Sequence, residues 1–405
     1  MKILHTSDWH LGHSLYNHDR TEEQASMLEQ MADLVHKEKP DAFLLSGDVF
    51  HTDQPSAAVQ RMLADALVAI HNAHPAMTIV CTAGNHDSAS RHEVFRLPWL
   101  SLNVHSIGQL SKDNPERHII SIPGKGFVVA VPYCYERNIP EGFFQQLLDR
   151  VQELNTLHLP VIMMAHTTME NSDLKGHDFK RSFTTGGIET MSISQTGRGY
   201  DYLALGHIHH AQWVKGGNHR VRYSGSPLPV SFDEDYEHSV SIVSIDAQGD
   251  EPDLHTISIE NPHPLVNLPS TGFARWEKAK ELLKDFPSDI PAYIRLNIKH
   301  QDFLPPTALD EAVKLTEGKR CRFCLINLEK VEREDADGET LTIQQFQEES
   351  PLEIARMFAE QEGKSFDEDL IELFNQAVNT LLTKNETEPT HHTQHSIHQG
   401  CHHTV

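Results

Sequence analysis

The chain has no apolar stretch long enough to cross a bilayer. Its purest runs, Val161 to Ala165 and Phe127 to Pro132, fall far short of the roughly 20 residues that a membrane-spanning helix needs. It opens on Met1-Lys2-Ile3-Leu4-His5-Thr6-Ser7-Asp8, without the apolar core and small-residue cleavage site of a secretory leader, so a cytoplasmic location is expected. Cysteine is scarce: Cys81, Cys134, Cys321, Cys324 and Cys401 are five in 405 residues. That is too few for a disulfide framework and agrees with a reducing compartment. Cys321 and Cys324 form a CxxC with no second pair, and without partner ligands they read as packing groups rather than a zinc or redox site. A basic surplus is missing as well. The formal net charge of -24 excludes a protein that coats DNA through a broadly basic surface, although it does not exclude an enzyme. Fifteen acidic and four basic residues between Glu329 and Glu372 hold -11 of that charge, so almost half the excess is local. There is no Walker A motif.

What is present begins with length. At 405 residues the chain exceeds one ordinary hydrophobic core, and two or three domains are expected. In the first 100 residues short apolar strands alternate with helical patterns, which predicts an α/β layer architecture. Lys2 to Thr6, Ala42 to Ser46 and Thr78 to Thr82 are apolar runs, each ending at a polar motif. Between them, Thr21 to Glu38 and Ala58 to Ile70 carry apolar residues at helical spacing. The pattern continues with a strand at Phe127 to Val131, a helix around Phe143 to Leu154, and strands at Val161 to Ala165 and Tyr202 to Leu205. It then turns strand-rich at Val221 to Ser224, Ser239 to Ile245 and Leu254 to Ile259. Asn261-Pro262-His263-Pro264 marks a boundary. Beyond it, Phe273 to Leu283 and Leu309 to Leu315 read as helices and Tyr293 to Ile298 and Cys321 to Leu328 as strands, a small α+β domain. Capping signatures at Ser350-Pro351 with Glu353, and at Ser365 with Glu368, announce two further helices. Their apolar faces suit either a domain of their own or docking on a partner. The tail from Lys384 to Val405 is polar and His-rich, and is expected to be disordered and without function.

Five motifs carry the chemistry, each on a loop after a strand, where open α/β sheets place their sites. They are Asp8-Trp9-His10; Gly47-Asp48-Val49-Phe50-His51; Gly84-Asn85-His86-Asp87; His166; and Gly206-His207-Ile208-His209. Alternate residues of an extended segment point the same way, so Asp-x-His and His-x-His each offer two ligands together. An isolated histidine is usually a hydrogen-bonded core or surface group, but five such motifs in this order predict a dinuclear metal site. Oxygen and nitrogen donors without thiolates favour Mn²⁺, Fe²⁺ or Mg²⁺ over structural zinc.

With these motifs the sequence resembles the calcineurin-like metallophosphoesterases, whose pattern Asp-x-His, Gly-Asp, Gly-Asn-His-Asp, His, Gly-His-x-His is present in full. Phosphoprotein phosphatases of that superfamily carry an Arg soon after the second motif, where this chain has Phe50-His51-Thr52-Asp53. The nearer resemblance is to the SbcD family of nuclease subunits. It rests on His10-Leu11-Gly12, on Gly47 to His51 and on the run Tyr223-Ser224-Gly225-Ser226-Pro227-Leu228-Pro229-Val230-Ser231-Phe232. It is specific from Met1 to about Ile245, weaker to about Leu328, and beyond that rests on layout alone.

The resemblance implies a four-layer αββα sandwich over residues 1–262, a small α+β DNA-capping domain over 263–331, and an acidic linker over 332–349. Residues 350–383 become a helical segment that docks on an SbcC-type coiled-coil ATPase, and 384–405 the disordered tail. It implies two divalent ions, expected to be Mn²⁺: one on Asp8, His10 and His209, the other on Asn85, His166 and His207, with Asp48 bridging. A hydroxide between the ions attacks the phosphodiester in line. His86 stabilises the transition state or protonates the leaving oxygen, Asp87 orients His86 by accepting its second N–H, and His51 contacts phosphate. The implied activity is 3′–5′ exonuclease action on double-stranded DNA and endonuclease action on single strands, in repair, recombination and hairpin processing. The implied assembly is a homodimer within a heterotetramer, with Ala58 to Ile70 and His92 to Leu102 as candidate contact helices, ordinary core helices being the alternative. A phosphatase or small-molecule phosphodiesterase on the same dimetal site is the alternative, and a metal-dead scaffold disagrees with the intact ligand set.

Overall fold

Apolar runs with no polar residue between them form strands buried on both faces, because successive side chains point to opposite sides and each side meets a covered layer. The computed structural model describes residues 1–176, 190–300 and 304–330, and beyond them Leu352, Arg356, residues 370–372 and Phe374. Strands β1 (Lys2–Thr6), β2 (Ala42–Ser46), β3 (Thr78–Thr82) and β4 (Val104–Ile107) run parallel. β11 (Ser239–Ser244) and β12 (Asp253–Ser258) extend them antiparallel into a six-stranded sheet of order β12-β11-β1-β2-β3-β4. A second six-stranded sheet contains β5 (Ile119–Ile122), β6 (Gly126–Ala130), β7 (Val161–His166), β8 (Tyr202–Gly206), β9 (Gln212–Trp213) and β10 (Val221–Tyr223). Its order is β5-β6-β7-β8-β10-β9.

The two sheets share a core. Ile3, Ala42, Leu44 and Val80 of the first meet Val128, Ala130, Ile162, Met164 and Ala204 of the second. Their neighbours in sequence face outward. Leu4, Phe43, Leu45 and Ile79 pack under helices α1 (Thr21–Glu38) and α2 (Ala57–Ala73), through Met27, Met31, Val35, Leu67 and Ile70. Val129, Met163 and Leu203 pack under α4 (Phe143–Leu154), through Phe144, Leu147 and Val151. The result is the expected αββα sandwich, with period-two alternation assigning every other residue to the inner or the outer core. Each fully buried Leu, Ile or Val contributes about 1.5–3 kcal/mol.

A third, parallel sheet of order β13-β14-β15 is made of β13 (Leu265–Leu268), β14 (Tyr293–His300) and β15 (Arg322–Lys330). With α5 (Trp276–Asp285) and α6 (Ala308–Thr316) it encloses its own core around Leu283, Ile294, Leu296 and Cys321. Cys321 is buried there, whereas Cys324 sits at the register shift opposite Ile294 and Arg295 and packs against the separate cluster of Leu15, Phe232 and Tyr293. The two thiols therefore serve different cores, in keeping with their reading as packing groups.

Several element boundaries differ from those expected. The helix anticipated from His92 is α3 (Ala89–Leu100), starting directly after the third motif, and α5 begins at Trp276 rather than Phe273. The strands β4, β5, β9 and β13 are short, with two to four residues each, and each lies at a sheet edge. Of the expected helical segment 350–383, Leu352, Arg356, residues 370–372 and Phe374 are helical. The remainder, with the linker 332–349 and the tail 384–405, lies outside the described residues. Residues 1–331 and 332–405 form separate units. Among the described residues no helix is long and apolar enough to cross a membrane.

Candidate metal centre

All five motifs emerge at the carboxyl ends of β1, β2, β3, β7 and β8, and the two sheets bring those ends together. The first two loops pair like short strands: Asp8 N–H donates to Gly47 O, His10 N–H to Asp48 O and Leu11 N–H to Val49 O, each at 3.0 Å. Asp8, His10, Asp48 and His207 all have positive φ, at 54°, 45°, 49° and 101°. Such conformations are costly for residues with side chains and persist where surrounding structure holds them for a functional reason. Gly84 is required by close approach, since a Cβ there would run into the Asp48 carboxylate.

The side chains converge in two groups around one carboxylate. Asp8, His10 and His209 can place one ligand atom each within 4.8 Å of one another, and so can Asp48, His166 and His207. Asn85 joins the second group, with its Oδ1 3.0 Å from His166 Nε2 and 2.9 Å from His207 Nδ1. Asp48 stands between them, with Oδ2 3.7 Å from His10 Nε2 and Oδ1 3.5 Å from His166 Nε2. The seven residues expected as ligands are thus brought together, three on one side of Asp48 and three on the other. Asp8, His10, Asp48 and His166 are buried, while Asn85, His207 and His209 lie toward the mouth.

The donor set fits a pair of divalent cations. His10 Nε2 and His209 Nε2 face each other at 3.2 Å, an arrangement of two imidazole nitrogens that a shared cation satisfies better than a single proton. Tautomers are set from behind, as metal-binding histidines require. His166 Nδ1 donates to Ser46 O at 2.9 Å and His209 Nδ1 to Glu234 Oε1 at 2.9 Å, leaving Nε2 of each for the centre.

The charges are strongly interdependent. Burial opposes ionisation of Asp48, but the charge and hydrogen bond of His166 prevail and hold its carboxyl well below the usual range. Burial raises Asp8 and lowers His10. Burial would also lower His166 and His209, yet the charges of Asp48 and of Glu234, respectively, push each up to about 9. Protons therefore stand where cations would bind.

The expected acid–base group His86 is half-buried, its ring edge-on to His10 at 4.9 Å and stacked on His51 at 5.6 Å. Its orientation does not come from Asp87, contrary to the sequence-based expectation. His86 Nδ1 donates to the His51 carbonyl at 2.9 Å. The Asp87 carboxylate points the other way and accepts three backbone N–H groups, from Phe50 at 2.8 Å, Gly84 at 2.8 Å and Val49 at 3.0 Å. Asp87 thereby ties the second and third motif loops together instead. Glu234, buried behind His209, belongs to no sequence motif. Its only signal is its position just past the Ser224 to Phe232 run.

Comparison with known proteins agrees with this geometry. Residues 1–211 match the family model described as calcineurin-like phosphoesterase. Three proteins that carry the name SbcD, as nuclease subunits of SbcCD, are similar. That of Rhodobacter capsulatus is 33% identical over 301 residues, covering 68% of this chain and 73% of that protein. That of Bacillus subtilis is 28% identical, covering 92% and 97%, and that of Escherichia coli K12 is 27% identical, covering 95% and 100%. The chain belongs to the calcineurin-like phosphoesterases and, within them, to the SbcD nucleases, and it is a metal-dependent phosphodiesterase.

Proposed function

We propose that this chain is the Mn²⁺-dependent DNA nuclease subunit of an ATP-dependent complex, with 3′–5′ exonuclease activity on double strands and endonuclease activity on single strands. The observation that carries the reading is the Asp48 carboxylate, with one oxygen toward each ligand group. Asp8, His10 and His209 would hold one ion, Asn85, His166 and His207 the other. Bound divalent ions supply Lewis-acid stabilisation of the phosphate and lower the pKa of a nucleophilic water. The Asn85 amide oxygen and the absence of thiolate among the ligands suit Mn²⁺.

The chain's own groups do the rest. With Nδ1–H committed to the His51 carbonyl, His86 keeps Nε2 for the phosphate or for the departing sugar oxygen, and as an imidazolium it carries a second proton there to pass to that oxygen. His51, stacked on His86, lies where a second imidazole can contact the same phosphate. Burial of Asp8, Asp48 and His166 keeps bulk water from the deep side of the centre.

The third sheet is the DNA-capping domain in this reading, with Arg295 Nη1 on Asp233 at 2.5 Å beside Glu234. The homodimer uses α2 and α3, and on α3 Val94 and Leu97 stand 70% and 67% exposed. Residues 350–383 dock on an SbcC-type coiled-coil ATPase, giving a heterotetramer in the cytoplasm. Purified protein with Mn²⁺ should degrade linear DNA, and Asp48→Ala or His86→Ala should abolish it. Rapid turnover of a phosphomonoester or cyclic nucleotide with inert DNA would instead establish a phosphatase or small-molecule phosphodiesterase.

A further inference from the structure

Between β6 and α4 the chain passes through Tyr133-Cys134-Tyr135-Glu136-Arg137, a segment that holds none of the expected metal ligands and contributes to none of the apolar cores of the described residues. The Tyr133 N–H donates to the Ala83 carbonyl at 2.8 Å, directly before the Gly84-Asn85-His86 motif, which pins the segment to the rim of the metal centre. From there planar groups run outward in contact. The Tyr133 ring lies 6.1 Å from the His166 ring at 86°, and the Tyr135 ring 5.5 Å from Tyr133 at 66°. The Arg137 guanidinium lies 4.8 Å over the Tyr135 ring. Tyr135 is 37% exposed, which would waste apolar surface if the ring served packing alone.

A run of rings in edge-to-face contact, ending in a guanidinium over the exposed Tyr135 ring, reaches from His166 toward solvent, and aromatic and guanidinium planes of this kind are what unpaired nucleobases stack on. A duplex keeps its bases stacked on one another, so only a single strand presents free faces to such a path. We infer that Tyr133, Tyr135 and Arg137 form a stacking platform for bases of a single strand adjoining the phosphate to be cut. The inference rests on the nuclease reading proposed above. Every base has a π-face, so the platform is tolerant of sequence and selects for unpaired bases.

The test uses the full chain with Mn²⁺ and two substrates: a single-stranded oligonucleotide, and bis-p-nitrophenyl phosphate, a diester without a nucleobase. In Tyr135→Ala the ratio of kcat/KM for the oligonucleotide to that for the simple diester should fall about tenfold, within the range of one base–aromatic contact. Most of the fall should lie in KM, and Tyr135→Trp should restore the ratio. Abasic nucleotides flanking the cleavage position should cost the wild type a similar factor and add nothing to Tyr135→Ala. An unchanged ratio in a variant that still cuts both substrates overturns the platform alone. A wild type that hydrolyses the simple diester but leaves the oligonucleotide intact overturns the nuclease reading and the platform with it.

Discussion

Glu234 is the support whose removal tests the metal centre most selectively, because it touches the site only from behind. It is 6% exposed, and its Oε1 accepts the His209 Nδ1–H at 2.9 Å while Oε2 takes the Val230 N–H at 3.3 Å. Glu234→Ala leaves both donors buried without this acceptor and frees the imidazole to rotate or change tautomer. Loss of such an outer partner costs roughly 10- to 100-fold in metal affinity, or about 1.4–2.8 kcal/mol. Glu234→Gln keeps an acceptor oxygen but not the charge, and should fall between Ala and the wild type. The assay is calorimetric titration of the metal-free protein with Mn²⁺. Burial lowers His209 but the Glu234 charge brings it to about 9, so a titration near pH 9 limits competition from that proton. A Glu234→Ala protein that keeps its thermal transition and binds Mn²⁺ with wild-type affinity would show that Glu234 does not support the metal centre.

The same raised histidines give the metal-free protein a pH signature. His166 and His209 titrate near 9 when folded against about 6.5 unfolded, so the stability they add is complete below about 6.5 and lost as pH rises through 9. Tm of the metal-free protein should fall across that window, whereas Mn²⁺ affinity should rise across it because binding expels those protons; a pH-independent affinity would contradict this. Asp87→Ala strands the Val49, Phe50 and Gly84 N–H groups at roughly 1–3 kcal/mol for each donor left unsatisfied, which scanning calorimetry should record as a drop of several degrees. Replacing Cys321 and Cys324 together by Ala should leave two metal ions per chain in elemental analysis; loss of bound metal would overturn their reading as packing groups.

The layer order and the site were legible because both depend on short-range pattern. Continuous apolar runs such as Ala42–Ser46 and Val161–His166 must be covered on both sides, and a polar motif at the end of each marks the loop side of the sheet. Edge strands such as Val104–Ile107 carry little of that signal, since a few residues at a sheet margin need neither strict alternation nor length. Two parts of the site depended on three-dimensional facing. Asp87 adjoins His86 in sequence yet its carboxylate serves Val49, Phe50 and Gly84. Glu234 reaches His209 across 25 positions, from between two other acids, and no spacing rule distinguishes it from Asp233 or Asp235.

In the proposed mechanism Asp48 joins two metal sites into one centre. Electron paramagnetic resonance of the protein titrated with Mn²⁺ addresses it directly, since two ions sharing a carboxylate are magnetically coupled while separate ions are not. Two Mn²⁺ per chain with an exchange-coupled spectrum are expected, with loss of the coupling in Asp48→Ala. One ion per chain, or two with the spectrum of isolated Mn²⁺ in the wild type, would contradict that bridging role.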